Sequence, residues 1–216
     1  MNLFVDSIMA ARSSVSVLHY LAIGRLGRGE VVNLFLKDAG IEYQDIRYPN
    51  DDTWPQSSEE LKRKGLTRTG KVPAVEYKGV ILNQHIPTLR YIARDLGRYD
   101  GETNREKFIV DAVSDVYIDW RFRWVQNLRQ KADEYKDSFV PSYYDTIAQY
   151  YAEIDGPYLL GDKITYADFA VYQSIDNDQR TGTLPANLST SITKFKETFE
   201  QRPNIAQYIK ENLPKL

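Results

Sequence analysis

The spacing of apolar positions changes near residue 100 and divides the chain into two regions with different predicted elements. From Ser16 to Tyr20 the residues alternate and are β-prone, which predicts a strand. Over Arg28 to Ala39, Val31, Val32, Leu34, Phe35 and Leu36 recur at helical spacing until Gly40, a helix with a glycine stop. Ile41 to Tyr48 reads as a second strand, and a strand–helix–strand unit implies parallel pairing through a crossover. Asn50 to Thr69 is polar and reads as a loop, with Trp54-Pro55 near its start and a short helical segment at Glu59 to Lys64. Val72–Tyr77 and Val80–Asn83 flank Lys78-Gly79 and predict a hairpin, and Pro87 to Leu96 predicts a helix.

Beyond Gly97 the period is helical almost throughout. Glu106 to Ala132 carries Ile109, Val110, Val113, Val116, Tyr117, Trp120 and Trp124 on one broad face of a long helix. Pro141–Ile154, Ser189–Gln201 and Pro203–Asn212 predict further helices. Between them Thr165 and Asp168 have capping-box spacing, which marks a helix start and reads as scaffold. Glycines and charges interrupt both patterns at Gly97–Thr103, so the expected domains are residues 1–98 and 99–216.

Composition then narrows the chemistry. The 28 basic and 30 acidic residues are scattered, which argues against a nucleic-acid partner. The absence of cysteine removes disulfides, thiolate catalysis and thiolate metal sites. His19 and His85 are the only histidines and belong to no metal-binding pattern, so metal-free chemistry is expected. Met1 to Ser14 lacks a basic start and a long apolar core, and no apolar run approaches about 18 residues, so a cytoplasmic protein without a membrane partner is expected. Sixteen tyrosines suit both cores and pockets for flat apolar ligands.

Gly70-Lys71-Val72-Pro73-Ala74-Val75-Glu76 is the most informative segment. A proline cannot donate to a sheet ladder, so Pro73 reads as the first residue of a strand facing an open edge. A cis Val72-Pro73 bond would expose the backbone of Val72 to a peptide-like ligand; the alternative is an ordinary turn.

Asp38-Ala39-Gly40-Ile41-Glu42-Tyr43, Lys71-Val72-Pro73-Ala74-Val75, Leu89-Arg90-Tyr91-Ile92-Ala93-Arg94, and Gly161-Asp162 before the capping box occur in an order and spacing that resemble the cytosolic glutathione transferases, most closely the tyrosine-type classes such as sigma or pi. The resemblance spans nearly the whole chain. It implies an α/β thioredoxin-like amino-terminal domain that binds glutathione, followed by an all-α domain that supplies the pocket for an electrophile. It implies glutathione as co-substrate, no metal, a homodimer, and a detoxifying transferase.

Carried over residue by residue, the resemblance puts the catalytic tyrosine at Tyr20, whose hydroxyl would stabilise the thiolate; the alternative is a core aromatic. Hydroxyls at Ser13 and Ser14 are alternative donors but precede the strand. Arg28 matches the arginine beside the sulfur, Arg25 remains open, and the segment after Tyr20 is about two residues longer than the family pattern. Trp54 and Lys64 match groups that hold the glycyl carboxylate, with Lys62 or Arg63 as substitutes for Lys64. Val72, with Pro73 fixing the turn, would pair with the cysteinyl backbone, and Gln84 stands at the γ-glutamyl end. His85 follows where the family has serine or threonine, which departs from the pattern and predicts weaker or pH-dependent binding. Asp115 matches an aspartate that reaches glutathione in the neighbouring subunit. Tyr117, Arg121 and Trp124, with Tyr166 or Leu216, are electrophile-pocket candidates, although aromatic stripes more often form core.

The expected reaction is glutathione transfer to a hydrophobic electrophile. Glutathione-dependent peroxidase or isomerase chemistry would use the same sulfur. A non-catalytic structural or regulatory relative is the alternative from a different class.

Overall fold

In the computed structural model, residues 15–212 are described, and they form two compact units divided between Thr88 and Leu89. Ser13, Ser14 and Leu216, like the rest of the amino-terminal segment read for a leader, lie outside the described residues.

The first unit is built on four strands, β1 (Ser16–Leu21), β2 (Tyr43–Tyr48), β3 (Ala74–Tyr77) and β4 (Val80–Asn83), in the order β2-β1-β3-β4. β1 and β2 are parallel, joined through α1 (Arg28–Asp38), whereas β1–β3 and β3–β4 are antiparallel. α1 stops as expected: Gly40 adopts φ +68°, its amide bonds the carbonyl of Lys37, and the amide of Ile41 bonds that of Leu36. Two expectations need correction. Pro73 precedes β3 and does not open an edge strand, because β3 lies between β1 and β4. Half of the polar stretch after β2 is helix, α2 (Trp54–Arg63), longer than the short segment expected at Glu59 to Lys64. Its start is set by Asp51, which accepts the amide and hydroxyl of Thr53 at 2.9 and 2.6 Å, and by Pro55 in the first turn. Only Leu61 of α2 is buried, so composition alone reads as loop.

α3 (His85–Leu96) begins two residues earlier than the periodicity predicts, immediately after Gln84. The division between the units falls within this helix.

The second unit is helical: α4 (Asn104–Arg129), α5 (Val140–Ala152), α6 (Tyr166–Thr181), α7 (Thr190–Glu200) and α8 (Ala206–Glu211), with a π-helical turn at Tyr135–Phe139 leading into α5. A capping box starts α4, Glu106 donating its amide to Thr103 Oγ1 and accepting the amide of Thr103. α6 is buried from Tyr166 to Asp178 and forms the axis of this core. Around it Tyr172 stacks on Phe199 at 4.2 Å between centroids, and Trp120 packs against Tyr117, Trp124 and Tyr143 at 5.6 to 5.9 Å. Among the described residues no helix is long and apolar enough to cross a membrane.

Candidate functional site

Strand register brings most of the predicted residues of the first unit to one end of its sheet. Leu21 is paired with Tyr48 and His19 with Ala74, so the end of β1 lies beside the end of β2 and the Val72-Pro73 turn. Ala74 is paired with Asn83, which sets Gln84 and the first turn of α3 beside the same turn. The Val72-Pro73 bond is cis; Pro73 is buried and Val72 half-buried.

Tyr20 is buried at 3% exposure. Leu18 and Tyr20 share one face of β1, and Val17 and His19 share the other. The Tyr20 ring lies against the backbone of α1 at Gly29, where a Cβ would stand 2.1 Å from Tyr20 Cγ. Glycine at position 29 is therefore a condition of the tyrosine's position. The preceding Gly27 adopts φ +78° and ψ −163°, a backbone region that essentially only glycine enters. Among the described residues the Tyr20 hydroxyl makes no hydrogen bond. The Arg47 guanidinium stands 5.6 Å from the Tyr20 ring centroid, held by Asp45 through contacts of 2.7 and 2.9 Å. Arg47 escaped sequence reasoning, although Asp45 and Arg47 alternate on β2 and so share one face.

The two candidate arginines differ in their engagements. Arg25 is 6% exposed, and its Nε donates to Glu30 at 3.1 Å. Glu30 is fully buried and also accepts from Asn33 at 3.0 Å. Arg25 thus belongs to a buried ion pair. Arg28, the first residue of α1, is half-buried and adjoins Gly29 beneath the Tyr20 ring. Its buried Nε has no hydrogen-bond partner among the described residues.

Trp54 opens α2, half-buried and not in a loop, with its ring edge-on to Tyr48 at 6.2 Å. Lys64 caps the other end of that helix and pairs with Glu60 at 2.6 Å on the surface. Trp54 and Lys64 stand ten positions apart along this helix, about 15 Å of axis. Lys62 pairs with Glu59 at 2.5 Å.

Gln84 is exposed at φ +67°, a conformation that costs a non-glycine residue about 1–3 kcal/mol and is concentrated at functional sites. Its carbonyl accepts the amide of Thr88 at 2.9 Å. His85, expected beside Gln84 at the γ-glutamyl end, is buried at 2% exposure.

In the second unit, Tyr117 and Trp124 are 0% and 2% exposed and belong to the stacked aromatic core. Arg121 is 9% exposed and lies over the Trp124 ring at 4.8 Å. Helical spacing cannot separate core from pocket, and here these aromatics pack as core. The Tyr166 hydroxyl bonds Asp111 and accepts from Arg90 at 3.0 Å; burial foremost, with the Asp111 bond, raises its pKa well above the ordinary value. Asp115 is exposed on α4, between Phe108 and Phe122 at seven-residue spacing, which are 69% and 64% exposed. Two cavities at the carboxyl end of α4, about 390 and 440 Å³, are lined by none of the predicted residues.

Comparison with known proteins gives a consistent result. Residues 16–94 match the family signature described as glutathione S-transferase, N-terminal domain, and residues 118–212 match glutathione S-transferase, C-terminal domain. The chain is 28% identical over 198 residues to glutathione S-transferase 1 of Ascaris suum, covering 86% of this chain and 91% of that relative. It is 32% identical over 149 residues to the hematopoietic prostaglandin D synthase of Gallus gallus, covering 66% and 70%. A solved glutathione S-transferase from Caenorhabditis elegans superposes with a TM-score of 0.77 at 25% identity, covering 92% of this chain and 98% of that one.

Proposed function

The chain belongs to the cytosolic glutathione S-transferase family of enzymes, and on that premise we propose that it transfers the glutathione thiolate to a hydrophobic electrophile, with the Tyr20 hydroxyl stabilising the sulfur anion. The observation that carries the reading is the Tyr20 geometry. Its ring is fixed against Gly29, and its hydroxyl has no acceptor of its own among the described residues. A thiol near its reference pKa of about 8.5 is only a few per cent thiolate at neutral pH, so a preorganised donor raises the reactive fraction. Arg28 and Arg47 supply positive charge on the same face. Arg25 is less suited because Glu30 already engages it.

In this reading Val72 and Pro73 form the backbone clamp for the cysteinyl unit. Trp54 anchors the glycyl carboxylate, with Lys64 adding charge, and Gln84 with His85 receives the γ-glutamyl end. Residues 1–98 constitute the glutathione-binding domain, and 99–216 the domain that supplies the electrophile pocket, with Arg121 its most accessible contributor among the candidates. The exposed stripe of Phe108, Asp115 and Phe122 supports a homodimer in which Asp115 reaches the neighbouring site. A cytoplasmic detoxifying role completes the proposal.

Retention on immobilised glutathione together with conjugation of a generic aryl halide tests the enzyme. Retention without turnover favours the non-catalytic relative, whose specific support is His85 standing where the family has serine or threonine. Isomerase chemistry, suggested by the prostaglandin D synthase relative, is assayed on the same preparation. Sedimentation of a Phe108→Ser, Phe122→Ser variant tests the dimer: a monomer is expected, and an unchanged mass removes this interface.

A further inference from the structure

We infer that His19 and Tyr48 form a positioning relay for Trp54, running across the sheet face opposite Tyr20. The inference rests on the proposed role of Trp54 as glycyl-carboxylate anchor and adds residues that the family resemblance did not supply.

The relay is continuous. Glu76 on β3 contacts His19 Nε2 at 3.1 Å, and His19 Nδ1 meets the Tyr48 hydroxyl at 2.8 Å. The imidazole and phenol rings stack at 6.0 Å with an interplanar angle of 23°, and the far side of the relay is the edge-on contact of Tyr48 with Trp54, at 63°. His19 is 3% exposed, so water does not take over these bonds.

The chemistry fixes the direction of the first bond: a carboxylate only accepts, so His19 donates Nε2–H to Glu76, and Nδ1 and the Tyr48 hydroxyl share the second bond. Tyr48 keeps its proton, because burial foremost, then the charges of Glu60 and Glu76, raise its pKa above the ordinary tyrosine value. The phenol of Tyr48 is thereby held from β1, whereas Trp54 stands just beyond the exposed segment Pro49–Thr53. The alternative is a polar cluster that merely stabilises the sheet.

Tyr48→Phe is the cleanest probe, since it keeps the ring and removes the bond to His19; His19→Gln keeps a donor toward Glu76. Three tryptophans give three indole N–H signals in a nitrogen–proton spectrum, and the Trp54 signal is the one lost in Trp54→Phe. Both relay variants are expected to move the Trp54 signal while those of Trp120 and Trp124 stay in place. The KM for glutathione is expected to rise about three- to tenfold, with kcat within about twofold. In a Trp54→Phe background the same substitutions should add little.

A stationary Trp54 signal, or a KM effect fully additive with Trp54→Phe, overturns the relay. Lowered thermal stability with unchanged KM overturns it in favour of the sheet-stabilising cluster. If Trp54→Phe itself leaves the glutathione KM unchanged, the anchoring role of Trp54 falls, and the spectrum alone decides the relay: a moved signal sustains it and an unmoved one ends it.

Discussion

Tyr20 of the first unit and three buried tyrosines of the helical unit have different fates. In the helical unit the hydroxyls of Tyr135 and Tyr144 each donate at 2.9 Å to Asp178, and Tyr151 donates to Asp168 at 2.7 Å. Burial foremost, with the neighbouring carboxylates, raises all three hydroxyls well above the ordinary tyrosine value. Asp178 also accepts Trp120 Nε1 at 2.9 Å and Thr183 Oγ1 at 2.6 Å, so one buried carboxylate joins α4, α5, α6 and the π-helical turn. Tyr20 in the first unit is equally enclosed, yet its hydroxyl has no such acceptor among the described residues. A hydroxyl already donated to a carboxylate contributes to folding. One that is positioned and undonated can meet an anion that arrives later.

The largest expected effect tests the structural side of this contrast. Asp178→Ala leaves the Trp120, Tyr135 and Tyr144 donors in the core without an acceptor, while Thr183 keeps its bond to Thr181; at about 1–3 kcal/mol for each unsatisfied group the loss is on the order of 3 kcal/mol or more. Chemical denaturation measures it, and a loss below about 1 kcal/mol would show that the hub is dispensable. Burial is the main cause that raises the pKa of Asp178 above 3.8, outweighing the hydrogen bonds that lower it. The native state then binds the proton more tightly than the unfolded chain. This contribution to stability is complete below pH 3.8 and is lost as pH rises through the native value. Asp178→Asn is expected to flatten the pH dependence of the unfolding midpoint in that window.

Next in size is the contrast between Tyr20→Phe and Tyr144→Phe. Removal of a preorganised donor to a reacting anion costs about 10² or more in kcat. Tyr20→Phe should therefore lose that factor in aryl-halide turnover while keeping its unfolding midpoint. Tyr144→Phe should keep its turnover and lose about 1–3 kcal/mol of stability. Equal turnover in the two variants would erase the distinction. Gly29→Ala acts between them: its Cβ would stand 2.1 Å from Tyr20 Cγ, so either the ring or α1 must shift. Overpacking of this kind costs about 1–3 kcal/mol. A crystal structure of the variant should show a displaced Tyr20 ring, and kinetics a fall in turnover with little change in glutathione affinity.

How legible these regions were in the sequence follows the same division. Strand and helix periods, the glycine stop at Gly40 and the box at Thr165–Asp168 are local signals, and the structure reproduces them. The capping box of α4 was equally readable, because Thr103 and Glu106 have the required spacing. Three features were not local. α2 buries one residue, so its composition resembles a loop; its start depends on Asp51 folding back on Thr53. Tyr117 and Trp124 lie on an apolar stripe that fits either a pocket or a core, and only packing against Trp120 distinguishes them. The Glu76–His19–Tyr48 cluster joins residues 29 and 57 positions apart, which only strand register brings together.

The smallest expected effect concerns Lys64, which separates charge from geometry in the first unit. It is exposed and paired with Glu60 one helical turn away, at the opposite end of α2 from Trp54. An exposed pair of this kind is screened and contributes little to folding, so Lys64→Ala should leave the unfolding midpoint unchanged. If the ammonium leaves Glu60 for the glycyl carboxylate, the variant should raise the KM for glutathione about two- to fivefold at low salt, with the difference shrinking as ionic strength rises. Lys64→Arg should restore most of the affinity. Lys62→Ala serves as the matched control, because Lys62 is engaged with Glu59 and packs beside Gly70. If Lys62→Ala raises the KM and Lys64→Ala does not, the charge that assists Trp54 comes from two residues earlier, within α2.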